Sequence, residues 1–166
     1  MNVKQSSNSG LNEKMIACDP VSKTVKGGRK RKFSVLMVVG DGNGKVGVGM
    51  GKSAEVPDAV AKAVQDAKKN LVTVTLKGTT IPHEVVCEYG ASLVVLKPAA
   101  EGTGVIAGGA VRDVLEMAGV KDIRTKALRS RNPKNLAKAT INGLLSLRDA
   151  QQVAEVRGKS VEEVIG

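Results

Sequence analysis

The chain has 166 residues and a formal net charge of +10, with a pI near 9.8, so the partner expected is a polyanion. Cys18 and Cys87 are its two cysteines and His83 its one histidine; with no CxxC spacing, zinc lacks ligands, and His83 and Cys87 read as structural side chains. No apolar run approaches the ~20 residues of a membrane span, and the basic start is no signal peptide, so the expectation is a soluble protein of the reducing cytoplasm, with no metal and no cofactor.

Residues 1 to 10, MNVKQSSNSG, are polar without a period and are expected to be a disordered tail. From Leu11, LNEKMIACDPVSKTVK reads as an extended strand interrupted at Asp19-Pro20, followed by a turn at Gly27-Gly28 and the basic run Arg29-Lys30-Arg31-Lys32. FSVLMVV is a β-branched, apolar strand. Its partner is KVGVGM, in which Val46, Val48 and Met50 alternate with Gly47, Gly49 and Gly51, so one face is apolar and the other carries no side chains. Such a bare face admits a backbone or an RNA strand, and RNA phosphate lying near the sheet is the expectation.

Asp41-Gly42-Asn43-Gly44 joins the two strands with hairpin chemistry. That placement excludes the nucleotide loops suggested by the letters of GDGNGKVGVGMGKS. A dinucleotide loop runs from a strand into a helix, whereas here a second strand follows. A P-loop ending in Gly51-Lys52-Ser53 needs glycine at the position held by Val46. The helix that follows starts with Pro57 in its first turn and ends near Asn70, with Val56, Val60, Val64, Ala67 and Leu71 on one stripe.

LVTVTL then reads as a strand and connector, and IPHEVVCEYGASLVVLKPA as two strands joined at Tyr89-Gly90. The glycine-rich EGTGVIAGGA leads into the helix AVRDVLEMAG, with Val111, Val114, Leu115 and Ala118 inward and Gly119 ending it. A strand near DIRTKAL follows. Asn132-Pro133 opens the helix PKNLAKATINGLLSL, with Leu136, Thr140, Leu144 and Leu147 inward. Ser160-Val161-Glu162-Glu163 is a capping box for one last short helix.

The excess charge is not spread evenly. Residues 1 to 32 hold eight Lys/Arg against two Asp/Glu, and residues 121 to 138 hold seven against Asp122 alone, a net of +6 in each block. The rest of the chain is close to neutral, which favours nucleic acid over merely solvated faces. Phe33 and Tyr89 are the only aromatic residues, so a base-stacking platform cannot be built and recognition falls to phosphate, sugar and shape. Arg129, Arg131 and Lys134 flank Asn132-Pro133 at a helix N-terminus, an expected site for RNA phosphate.

VSKTVKGGR (21 to 29), VVGDGNGKVGVGMGK (38 to 52), EGTGVIAGGAVRDVLEMAGV (101 to 120), NPKNLAKATINGL (132 to 144) and RGKSVEEVIG (157 to 166) together resemble the family of bacterial small-subunit ribosomal protein number five. The resemblance implies an α+β chain: a double-stranded-RNA-binding-like β-β-β-α domain over residues 11 to 75, then a small β-α-β-α domain with a left-handed crossover over 76 to 150, and a helical tail over 151 to 166. It implies a non-catalytic constituent of the small subunit that binds its rRNA, near the mRNA entrance and beside proteins three, four and eight, contributing to assembly and accuracy. No small-molecule substrate or membrane is implied. The loop Val21 to Arg29 is, by resemblance, the one that reaches an rRNA helix near the spectinomycin site; Lys30-Arg31-Lys32 is more basic than the family's usual stretch. The expected rRNA contacts are Lys23, Lys26, Gly27, Gly28, Arg29, Lys30, Arg31, Lys45, Lys52, Arg129, Arg131 and Lys134. Gly102, Thr103, Gly104 and Arg112 match the segment lying beside protein four, where packing and contact roles both stand open.

Overall fold

The computed structural model describes residues 10 to 165; all of the predicted tail but Gly10 lies outside them. β1 (Asn12–Val25) and β2 (Gly28–Gly40) pair antiparallel as a hairpin turning at Lys26-Gly27. Two expectations are corrected here. β1 runs unbroken through Asp19-Pro20, with Pro20 opposite Phe33. It is the edge strand of a sheet ordered β1-β2-β3-β4, where a missing N–H breaks no ladder. The irregularity falls instead at Ile16, where the register slips between Met15 and Ala17. The segment Val21 to Arg29, expected as a loop, is for its part the end of β1, the turn and the start of β2.

β3 (Lys45–Ser53) pairs with β2, and β4 (Val72–Thr73) adds two residues beside Lys45 and Val46. LVTVTL is thus a short strand and a connector, as expected. α1 (Val56–Lys69) lies under this sheet with Ala59, Ala63, Val64 and Ala67 buried, and Val56, Val60 and Leu71 only half-buried. The buried stripe is therefore rotated from the predicted one, and the glycines are the reason. A Cβ on Gly49 would sit 2.7 Å from Ala67 Cα, and one on Gly51 2.6 Å from Ala63 N. Alanines four apart on a helix meet glycines two apart on a strand, so the two backbones approach with almost nothing between them. The bare face is filled by α1, which leaves no room there for the expected RNA phosphate.

The other face of the sheet packs on the second half of the chain. Val35, Met37 and Val39 point to α1, whereas Leu36, Val38 and Val46 join the main core with Leu96, Val114, Leu115, Ile123 and Leu144. A strand buried on both faces reads as an unbroken apolar run, which explains VLMVV.

β5 (Val85–Tyr89), β6 (Ser92–Pro98), β7 (Val105–Ile106) and β8 (Ile123–Arg129) form a second sheet ordered β5-β6-β8-β7. β7 and β8 are parallel, joined by α2 (Gly109–Ala118), which buries Val111, Val114, Leu115 and Ala118 and ends on a left-handed Gly119. α3 (Pro133–Ser146) is capped by Asn132, whose Oδ1 accepts from Lys134 N at 3.0 Å. Leu136, Thr140 and Leu144 are buried in it as expected. α4 (Ala150–Arg157) lies in the stretch expected to be a helical tail and opens on a capping box formed by Asp149 and Gln152 that the motif reading did not single out; α5 (Val161–Ile165) follows, with Glu163 N donating to Ser160 Oγ at 3.3 Å. No helix among the described residues is long and apolar enough to cross a membrane.

Cys87 is buried, its Sγ donating to Val94 O at 3.3 Å, and desolvation pushes its thiol up to about 11. His83 is exposed, with its ring nitrogens on the Glu84 carbonyl at 3.0 Å and the Arg148 amide at 3.3 Å. The two side chains do not converge on a common site.

Candidate nucleic-acid interface

The Asp41–Lys45 turn uses all of its own amide donors. Asp41 Oδ1 accepts from Asn43 N at 2.7 Å and Lys45 N at 2.9 Å, and Asp41 N donates to Lys45 O at 3.1 Å. Gly42 N and Gly44 N donate to the Met117 and Ala118 carbonyls at 3.1 and 2.9 Å. The glycines adopt φ of 72° and 96° to do so. A phosphate cradle needs free amides, and here they satisfy the last carbonyls of α2. The turn is a clasp between the two halves. Lys14 reinforces it, reaching Asp113 at 2.7 Å and Glu116 at 2.9 Å on α2; these carboxylates hold its ammonium above the usual lysine range.

From that anchored base the hairpin projects, exposed on both faces from Cys18 to Lys32 except at half-buried Val25. Pairing register sorts its charges. Lys23 lies opposite Lys30 and Val21 opposite Lys32, whereas Thr24 lies opposite Arg29 and Ser22 opposite Arg31. Cross-strand partners share a face, so Lys23, Lys30 and Lys32 occupy one side and Arg29 and Arg31 the other, with Lys26 beside Gly27 and Gly28 at the tip. Among the described residues, carboxylates pair with Lys14, Lys68, Lys97 and Arg129, and with no cation of the projecting part of the hairpin, residues 18 to 32. Like charges directly opposite destabilise a strand pair, so Lys23 and Lys30 are placed for an anion.

The lysine face continues into the body of the protein. Lys52 is the cross-strand neighbour of Ser34, and Lys134 Nζ donates to Ser34 Oγ at 3.4 Å, which brings the two basic blocks together. One turn further along α3, Lys138 Nζ lies 5.0 Å above the Tyr89 ring centroid and 3.3 Å from its hydroxyl. Lys138 and Tyr89 are absent from the sequence-derived set; the four-residue spacing of Lys134 and Lys138 on a helix is the signal that could have found the lysine. Lys45 is not part of this group. It starts β3 beside Thr73, seven residues and roughly 23 Å of strand from Lys52. The second block is otherwise dispersed: exposed Arg129 has a left-handed φ of 63° and pairs with Glu88 at 3.7 Å, and Arg131 stands exposed before α3. Because Asn132 already takes the Lys134 amide, the start of α3 offers less to an anion than expected.

Gly102, Thr103 and Gly104 form a loop held from inside by Asp122, which is 4% exposed and accepts from Gly104 N at 2.9 Å. Thr103 Oγ1 donates to Ala100 O at 2.7 Å, and Arg112 Nη2 to Val105 O at 3.2 Å. Asp122 is a further residue the sequence reading passed over, although it is the lone acid in a basic block. The Gly104 amide, then the Thr79 hydroxyl, hold its carboxyl below the usual carboxylate range against the cost of burial. A depressed folded value means the stabilisation is complete above the unfolded value of about 3.9 and is lost as pH falls through the folded one. Asp122→Asn is therefore expected to melt lower than the parent at neutral pH, with the deficit narrowing as the pH falls below about 3.9 and through the depressed folded value. Thermal melts across that range check it; a deficit independent of pH would show that charge is not what holds the loop.

A strand-rich unit with one helix beneath it, sharing a core with a β-α-β-α unit and presenting unpaired lysines along one face, defines a protein built to hold a folded polyanion. Residues 11–75 match the family model described as Ribosomal protein S5, N-terminal domain, and residues 87–157 match Ribosomal protein S5, C-terminal domain. The chain belongs to the ribosomal protein S5 family. It is a non-enzymatic constituent of the small ribosomal subunit that binds rRNA, and its place is the ribosome in the cytoplasm.

Proposed function

We propose that the β1–β2 hairpin and the lysines beside it hold small-subunit rRNA at the mRNA entrance, next to small-subunit proteins three, four and eight, and that the protein contributes there to subunit assembly and translational accuracy. The observation that carries the rRNA contact is the hairpin's charge: Lys23, Lys26, Arg29, Lys30, Arg31 and Lys32 project beyond the core without a carboxylate partner among the described residues. The site near the entrance and its neighbours rest on the resemblance of VSKTVKGGR and EGTGVIAGGAVRDVLEMAGV to the family's segments. In this reading Gly27 and Gly28 let the backbone approach phosphate, Arg129 and Arg131 supply peripheral contacts, and the exposed rim of Gly102, Thr103 and Arg112 meets protein four. Residues 11 to 75 and 76 to 150 act as the two working units, with 151 to 166 a helical tail.

The test is the pair Lys26→Ala and Arg29→Ala. Each removes an exposed charge, so stability should change by no more than ~0.5 kcal/mol, while RNA affinity falls about tenfold per lost charge-assisted contact. A collapse in melting temperature with RNA binding per folded molecule unchanged would make the hairpin structural. Sedimentation separates the ribosomal role from that of a free double-stranded-RNA binder, because a subunit constituent travels with the small subunit.

A further inference from the structure

The lysine face of the hairpin leads into a cleft between the two halves. Along that face the rows run Ser34 beside Lys52, Leu36 beside Met50, and Val38 beside Val48. Lys134 covers the first row through Ser34. Leu36, Met50 and Val48 floor a cleft of about 320 Å³, walled on one side by Tyr89, Asn135, Lys134 and Lys138 and on the other by Asn70 and Asp66, whose Oδ2 accepts from Met50 N at 2.9 Å. Its floor is apolar, with Met50 42% exposed, and its one aromatic wall, Tyr89, is 39% exposed. Residues on one face of a strand repeat every ~6.6 Å, which is close to the step between successive phosphates of one strand. Among the described residues, no carboxylate lies within ion-pair reach of Lys30, Lys32, Lys52, Lys134 or Lys138.

We propose that one RNA strand runs along this face, its phosphates on Lys30, Lys32 and Lys52, and enters the cleft, where Lys134 and Lys138 take the next phosphates and a sugar or base rests against Met50 and Tyr89. The inference rests on the rRNA-binding reading and extends it from the exposed hairpin to the seam between the halves. Charge decides the occupant: the line of ammonium groups suits an evenly charged polymer, and the apolar floor suits the uncharged edge of a nucleotide.

Tyr89 is the only tyrosine in the chain, so fluorotyrosine incorporation yields a single fluorine NMR signal from the cleft itself. The full chain is titrated with an RNA duplex of about 16 base pairs carrying a short single-stranded overhang. The signal should move as RNA binds, and Lys134→Ala with Lys138→Ala should reduce the slope of log affinity against log salt by about 2. Lys77→Ala, an exposed charge elsewhere, should leave both readings unchanged. RNA binding at the parental slope in the double variant, with a stationary signal in the parent, overturns the proposal while leaving rRNA binding by the hairpin intact. Absence of RNA binding in the parent would sink the underlying reading as well. A signal moved as far by polyglutamate as by RNA would overturn it in favour of an acidic protein partner.

Discussion

Gly49→Ala is expected to cost about 3 kcal/mol or more of folding stability, near or beyond the upper end for overpacking a close-packed site. The added methyl would overlap Ala63 O and Ala67 N and stand 2.7 Å from Ala67 Cα. These are backbone atoms of one helix, so no rotamer change relieves the clash. The sheet and α1 would have to separate along their length, loosening the packing of Val35, Met37 and Val39 on Ala59, Ala63 and Ala67. For a chain of this size such a loss lowers the melting temperature by roughly 6 to 12 °C. Gly27→Ala is the control, since nothing lies within 4 Å of its added Cβ, and it should change stability by less than ~0.5 kcal/mol. Equal melting temperatures for the two variants would mean that α1 can ride over a methyl and that the alternating glycines serve something else.

The same contact marks where the sequence stopped being legible. Period two and period 3.6 are local signals, so KVGVGM as a strand, AVRDVLEMAG as a helix with its inward residues, and Asn132 as a cap could all be read directly. Which face of α1 turns inward is not local. The valine stripe has the greater hydrophobic content, but the alanine row wins because only alanine fits against the glycine face of β3, and although that strand directly precedes the helix, the pairing of Gly49 with Ala67 and of Gly51 with Ala63 lies outside either element's own period. The loop expected over Val21 to Arg29 failed similarly: its charges and glycines read as a loop until Val21, Ser22, Lys23 and Thr24 are found paired with Lys32, Arg31, Lys30 and Arg29. Of the site, the hairpin was legible by charge and resemblance. The meeting of Lys134 with Ser34 was not, for it joins residues 100 positions apart through packing of α3 against the first sheet. The GDGNG turn was legible as a turn, but its attachment to the end of α2 needed the tertiary structure.

The largest expected effect concerns binding, and it follows from which charges are free. Lys23, Lys26, Arg29, Lys30, Arg31, Lys32, Lys52 and Lys134 are without carboxylate partners among the described residues, so neutralising RNA phosphates with them breaks no ion pair in the protein. The binding free energy then comes mainly from release of counterions condensed on the RNA. If about six to eight of these side chains each cover a phosphate, RNA affinity should fall ~10³-fold or more between 50 and 200 mM salt. Filter binding of an rRNA fragment across that range measures the slope directly. The two basic blocks should also contribute to one slope, because Lys134 of the second block sits on Ser34, two residues from Lys32 of the first on the same face of β2, and both meet one stretch of RNA. Removing either block would then leave a shallower but still linear dependence. A flat dependence would mean that the unpaired lysines do not hold phosphate, and the rRNA interface would have to be sought on an uncharged part of the surface.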